Sequence, residues 1–324
     1  MPLPRNLGEE FLIVCERAFE CAFDGLRPVI NGDEQAENFD VVYLAIEDNT
    51  IVASSHLTAS NRMSAIGGLG EVVTDPRYRG RGLASHLCQL ALEEFKARCG
   101  QAVFLATENP AAARIYHRLG WRRLSNTNVM ACITSGDSPE EFLVDYFRAA
   151  ASPVTIHKMT SDERIPLIPL LATPHNWQIL DANTKLYSTR HVTMTSCMGL
   201  YPRFSRLMKG GRGEAWAAHS QNGHLVGCAT VIADSSSPSE NSAEAVARID
   251  GFVHDRFKDS WPKLIQTAIR SSEATKAKTL TSVVSIEDEE KRQLFESLRF
   301  QESGRGDAFD LSGRRVESVQ LSRL

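Results

Sequence analysis

In residues 9–23 the apolar positions Phe11, Leu12, Cys15, Ala18, Phe19 and Ala22 recur at helical spacing, which predicts an amphipathic helix. Residues 28–40 are rich in Pro, Gly, Asn and acids and read as a loop. From Val41 the period shortens. The runs VVYLAI and IVASSHL, separated by the polar EDNT, predict an antiparallel hairpin, and residues 69–75 predict a third strand ended by Asp75-Pro76. Leu83, Leu87, Leu90, Ala91 and Phe95 return to helical spacing, with Gly100 expected at the C-cap position. Residues 102–107 read as a strand buried on both faces. Asn109 as N-cap and Pro110 in the first turn open another helix, which Gly120 ends, and residues 121–132 are strand-like again.

That order predicts an α/β (α+β) fold, a mixed, mostly antiparallel sheet flanked by helices. After Ser135 come Gly, Asp, Ser and Pro, a short helix EEFLVDYFRAA, and the breaker Ala151-Ser152-Pro153. The expected boundary therefore separates a domain at 1–150 from one at 154–324.

Composition narrows the function classes. With 324 residues, 42% hydrophobic and 23% charged, the chain has enough apolar material for sizeable cores. A net charge of -4 gives no broad positive field for a nucleic-acid backbone, so nucleic acid is not an expected partner. No secretory leader opens the chain and no apolar run is long enough to span a bilayer, so the expectation is a cytoplasmic protein without membrane partners. Seven scattered cysteines without metal-ligand spacing predict core residues and no metal.

Residues 74–84, TDPRYRGRGLA, join the third strand to a strong helix. The first N–H groups of a helix lack intrahelical partners and the dipole adds about half a positive charge there, so phosphate binds readily at such an end. Gly80 and Gly82 remove the Cβ that would hold phosphate oxygens off the backbone, and Arg77, Arg79 and Arg81 add charge. Neither a Walker loop nor a dinucleotide fingerprint occurs. Taken alone, RxxGxG also fits an arginine-rich surface turn. Its position between strand and helix, and a second element running from Asn109 through Tyr116 to Trp121, favour the anion site.

With both elements in hand, the sequence resembles the GNAT acyltransferases. Their coenzyme loop reads Arg or Gln, two residues, Gly, one residue, then Gly or Ala, matched by Arg77, Gly80 and Gly82; the later element is matched by Asn109, Ala112, Tyr116, Leu119, Gly120 and Trp121. The resemblance covers about residues 10–132. It implies acetyl-CoA, or another acyl-CoA, as cosubstrate and an amine as acceptor. It implies further that backbone N–H groups of Arg79, Gly80, Arg81, Gly82, Leu83 and Ala84 hold the pyrophosphate, that the strand at Val72, Val73 and Thr74 pairs with pantetheine, and that Asn109 contacts the coenzyme from the other side. It assigns protonation of the departing thiolate to Tyr116. Acyl transfer passes through an oxyanion, for which the Val73 N–H is the candidate donor. The attacking amine must lose a proton, and Glu71 is the candidate base. His56 and His117 are weighed as bases and set aside as ordinary polar residues.

The chain also matches itself at an offset of 179. Tyr78 falls on Phe257, Asn109 on Asp288, Ile115 on Leu294, Tyr116 on Phe295, Leu119 on Leu298 and Trp121 on Phe300. The hairpin pattern recurs at 214–232. Two tandem GNAT-like domains are the expectation, the second degenerate, because Gly80 and Gly82 become Asp259 and Trp261 and Tyr116 becomes Phe295. The leading expectation is an N-acetyltransferase acting on an amine of a small molecule or peptide. The alternatives are a non-catalytic acyl-CoA sensor and an assembly or interaction protein; oligomeric state stays open, a homo-oligomer included.

Overall fold

The computed structural model describes residues 3–211, 213–233, 246–274 and 277–324. The chain forms two compact units. One comprises residues 1–145 with 160–169 and 195–202; the other comprises 146–159, 170–194 and 203–324.

The amino-terminal unit begins with α1 (Arg5–Phe19). It ends three residues after Glu16 because Glu20 turns left-handed at φ 54, ahead of the expected end at residue 23. The expected loop at 28–40 is partly helical. A 3-10 turn at Asp24–Leu26 runs into α2 (Arg27–Asn31), closed by Gly32 at φ 83. Its polar composition conceals Val29 and Ile30, which bury against Phe11, Leu12 and Cys15 of α1. Then come β1 (Asn38–Glu47), β2 (Thr50–Ser60), β3 (Ile66–Thr74), α3 (Leu83–Ala97), β4 (Ala102–Ala106), α4 (Pro110–Arg118), β5 (Arg122–Arg123), β6 (Val129–Ile133) and α5 (Pro139–Ala149).

These strands form one sheet in the order β1-β2-β3-β4-β6-β5. All neighbours are antiparallel except β3 and β4, which run parallel. α1 and α2 cover one face, while α3 and α4 pack Cys88, Ala91, Phe95, Ala113 and Tyr116 on the other. Segment 160–169 is tied to the same unit: Asn38 Nδ2 donates to Ser161 O at 2.9 Å, and Ser60 Oγ to Asp162 Oδ1 at 2.6 Å. A buried Arg164–Glu34 pair at 2.6 Å adds a third tie.

The other unit continues with β7 (Thr155–Lys158), α6 (Leu167–Ala172), β8 (Ile179–Asp181), β9 (Leu186–Tyr187), α7 (Tyr201–Lys209), β10 (Gly213–His219), β11 (Leu225–Ala233), β12 (Val246–Val253), α8 (Trp261–Ala274), β13 (Thr279–Ser285), α9 (Glu289–Ser297), β14 (Gln301–Leu311) and β15 (Arg314–Arg323). The first residues of α6 and of α7 belong to the amino-terminal unit's segments. The large sheet has the order β14-β15-β13-β12-β11-β10-β7, and among the described residues its one parallel pair is β12 with β13. Both units thus share an antiparallel triplet followed by a helix, a parallel strand, a helix and antiparallel strands. Among the described residues no helix is long and apolar enough to cross a membrane.

Gly100 is not the left-handed residue that ends α3. That conformation falls on Cys99, at φ 60. Glycine is required at 100 because a Cβ there would enter the Phe95 ring, which also lies against Gly67. Phe95 is almost wholly buried in the core, so the ring has nowhere to go. Gly100→Ala is expected to lower stability by about 1–3 kcal/mol through overpacking, read as a lower denaturant midpoint at unchanged m-value. An unchanged midpoint would show that the ring can move aside.

Candidate active site

β2 is buried along its whole length after Thr50, yet it carries Ser54, Ser55, His56 and Thr58. A buried imidazole needs partners for both nitrogens. His56 is fully buried, with Nδ1 2.8 Å from Glu71 Oε2 and Nε2 2.8 Å from Asp40 Oδ1. With a carboxylate at each nitrogen, the ring carries two protons and donates both ways. Burial would lower its pKa, but the hydrogen bonds and charges of Asp40 and Glu71 outweigh burial and raise it to about 9. Burial likewise pushes the Asp40 carboxyl up, and the His56 bond and charge reverse this, holding it below the usual carboxylate range.

Glu71 reaches His56 because β3 is bulged. In the β2–β3 ladder Ser54 faces Val73 while His56 faces Gly70, which leaves one extra residue on β3. Glu71 takes the left-handed conformation there, at φ 49, and its carbonyl accepts from Ser54 Oγ at 2.7 Å. Beyond the bulge Val72 packs on the core shared with α3 and α4, and Val73 on the core shared with α1. β3 pairs with β4 only through Ile66, Gly67 and Gly68, opposite Ala102, Val103 and Phe104. From Leu69 onward the two parallel strands diverge, so residues 72–74 lie along an opening groove.

The turn at the end of that groove runs through a 3-10 helix at Pro76–Tyr78. Asp75 receives the Arg77 N–H at 2.9 Å and the Arg77 guanidinium at 3.1 Å, while Arg79 Nε donates to Thr74 O at 3.2 Å. Arg81 lies over the Tyr78 ring, 4.7 Å from its centroid. Gly80 and Gly82 are both left-handed, at φ 79 and 80, and a Cβ on either would meet nothing within 4 Å. Gly82 is the N-cap of α3, and no side chain caps that helix. The turn therefore presents open space over the uncapped N–H groups that begin with Leu83 and Ala84.

Across the groove, Asn109 caps α4 by accepting from the Ala111 and Ala112 N–H groups at 2.8 and 3.4 Å. Its Oδ1 is thereby committed to the helix. Tyr116, about two helical turns further on, packs in the same core as Val72, with its ring centroid 6.1 Å from that of Trp121. Burial, and secondarily Cys88, pushes its phenol well above the ordinary range, so it stays protonated at neutral pH.

Two features were hidden from the sequence. Asp40 falls in the expected loop and His56 reads as an ordinary polar residue, although a histidine among serines in an otherwise apolar strand signals a buried polar network. Met198 and Ile165, far along the chain, lie against β3: a Cβ at Gly68 would strike both, and one at Gly70 would touch Met198. Segments 160–169 and 195–202 thus wall the strand beside Glu71.

Residues 13–121 match the acetyltransferase (GNAT) family. The matched stretch contains Asp40, His56, Glu71, the glycine turn, Asn109 and Tyr116. A search of curated proteins found no match. Among solved structures, the chain is similar to a GNAT-family acetyltransferase from Streptococcus pneumoniae at 14% identity, over 53% of this chain and 99% of that one, with TM-score 0.39. It is similar to a ribosomal-protein-S5-alanine acetyltransferase from Vibrio fischeri at 9% identity, over 53% and 93%, with TM-score 0.42. It is also similar to mutant forms of a spermidine/spermine N-acetyltransferase from Vibrio cholerae at 14% identity, over 52% and 92%, with TM-score 0.39.

The raised pKa of His56 makes stability depend on pH. Between the unfolded value of 6.5 and about 9 the folded state holds one proton more, so stability falls as pH rises through that window. Glu163, pushed up to about 7 by burial, acts in the same direction in the lower part of that window. The buried His175, His224 and His254, all lowered by burial, act in the opposite direction there, and thiols released on unfolding add to the fall only above about pH 8. The difference in denaturant midpoint between the wild type and His56→Asn is therefore expected to shift against the wild type as pH rises from 6.5 to about 8, the background groups being common to both. A difference that stays constant across that range would mean that His56 is neutral.

Proposed function

We propose, from the GNAT-family match over residues 13–121, that the amino-terminal unit transfers an acetyl or other acyl group from acyl-CoA to an amine of a small molecule or peptide. The observation that carries this reading is the groove between diverging β3 and β4, which ends at an uncapped helix start behind two left-handed glycines. Phosphate oxygens would accept from the N–H groups between Arg79 and Ala84, with Arg77, Arg79 and Arg81 at the rim. The amide-bearing pantetheine arm would pair with the β3 backbone at Val72, Val73 and Thr74, and Asn109 would flank it.

The neutral amine attacks the thioester carbonyl carbon, and the Val73 N–H stabilises the resulting oxyanion. The C–S bond then breaks. Glu71 takes the proton lost by nitrogen, directly or through water, and Tyr116 donates one to the departing thiolate. His56 holds Glu71 Oε2, which leaves Oε1 as the accepting atom. His56 and Asp40 are positioning residues in this scheme. Met198 and Ile165 form part of the acceptor's wall.

The same clamp favours a second reading. A carboxylate already bonded to a buried imidazolium suits a coenzyme-binding sensor that catalyses nothing. The carboxy-terminal unit, with Asp259 and Trp261 in the turn, is read as a decayed copy in either case, and the chain as one acting in the cytoplasm.

Calorimetry with acetyl-CoA is expected to give one site per chain, lost in Gly82→Trp, whose indole would fill the turn. In an enzyme, Tyr116→Phe and Glu71→Gln are each expected to lower turnover at least about tenfold, with acetyl-CoA affinity within about twofold of wild type. Turnover of Tyr116→Phe within about threefold of wild type would remove the phenol from the mechanism. Binding with no thiol release across a panel of amines would favour the sensor.

A further inference from the structure

The carboxy-terminal unit builds the same kind of groove and fills it. Among the described residues β12 pairs with β13 through Val246, Ala247 and Arg248, opposite Thr279, Leu280 and Thr281, and the strands then part. Across the mouth of that opening run residues 177–182, which include β8. The Asp288 carboxylate, at the N-cap of α9, accepts the N–H groups of Gln178 at 2.7 Å and Ile179 at 3.0 Å. Lys291 Nζ donates to the carbonyls of Ile179 at 2.8 Å and Leu180 at 3.0 Å, and forms an ion pair at 2.6 Å with Asp250 on β12. Asp250 in turn accepts the Ala182 N–H at 2.7 Å.

We infer that this groove is a binding site whose ligand is the chain itself: residues 177–182 lie in it as an intramolecular strap, held by Asp250, Asp288 and Lys291, and no coenzyme enters. The N–H groups of Gln178, Ile179 and Ala182 and the carbonyls of Ile179 and Leu180 are matched to side chains of the groove, while β8 pairs on its other side with β9, so the segment's backbone is bonded as a bound extended segment would be. Both members of the ion pair are fully buried, so neither could stand in the groove unpartnered at small cost. Thr230 Oγ1 donates to Asp181 Oδ2 at 2.6 Å, and Ser285 Oγ to Gln178 Oε1 at 3.0 Å, so β11 and β13 hold the strap as well.

The substitutions at offset 179 explain how the groove was converted. Asn109 becomes Asp288, gaining a second acceptor oxygen and a charge; Ala112 becomes Lys291, supplying the ammonium that binds two strap carbonyls. Gly82 becomes Trp261, whose Nε1 donates to Gly251 O at 2.9 Å and whose ring packs edge-on against Trp177 of the strap. Each change adds a contact to the strap or to the groove backbone. The bulge is missing too, since the β11–β12 ladder runs without a register shift.

Hydrogen exchange on the intact chain tests this directly. The N–H groups of Gln178, Ile179 and Ala182 are expected to be protected by at least about a thousandfold over an unstructured peptide. In Asp288→Asn, which keeps a good N-cap residue but loses one acceptor, protection at Gln178 and Ile179 should fall at least about tenfold relative to N–H groups inside α3. Wild-type exchange at these three groups within about tenfold of the unstructured rate would overturn the strap, whatever the variant does.

Discussion

A protonated histidine held between two carboxylates in a dry strand sets the terms for the amino-terminal unit. Asp40 on β1, His56 on β2 and Glu71 on β3 form a cross-brace through three adjacent strands. Taking three charges out of water is costly, and only good geometry returns the cost. Here both nitrogens find a carboxylate at 2.8 Å, so the network is closed around the imidazolium. The brace fixes the bulge, because Glu71 reaches His56 from a left-handed backbone position that β-strand geometry would not otherwise place there. Fixing the bulge fixes the groove, since β3 leaves β4 just before it.

The two units show how one strand order serves two ends. Both contain a parallel pair that, among the described residues, is bonded for three residues and then opens. One unit lines the opening with Gly82, Ala111 and Ala112 and leaves the helix start uncapped. The other lines the corresponding positions with Trp261, Glu290 and Lys291, and its own backbone occupies the space. Small side chains leave one opening free, whereas large and charged ones match a peptide segment in the other.

Much of this was legible in the sequence where one residue type answers one local need. Gly80 and Gly82 mark a turn that must go left-handed, Asn109-Pro110 marks a helix start, and the β-rich runs separated by polar turn residues mark β1 to β3. What was not legible depends on partners distant in the chain. Gly100 looks like a helix cap, yet its reason is the Phe95 ring. The polar segment around α2 looks like loop because its few apolar residues complete a core supplied by α1. His56 looks like an ordinary polar residue until Asp40 and Glu71 are placed on either side, and Met198 carries no sign that it lies against Gly68 and Gly70.

The protonation state of His56 is the measurement on which the account turns. Nitrogen NMR on the imidazole, recorded across pH 6 to 10, reports each ring nitrogen separately. The account requires both nitrogens to carry protons at pH 7.5 and the ring to titrate near 9. A neutral ring at pH 7.5, with one nitrogen unprotonated, would contradict it and leave the bulge without the charge that holds it.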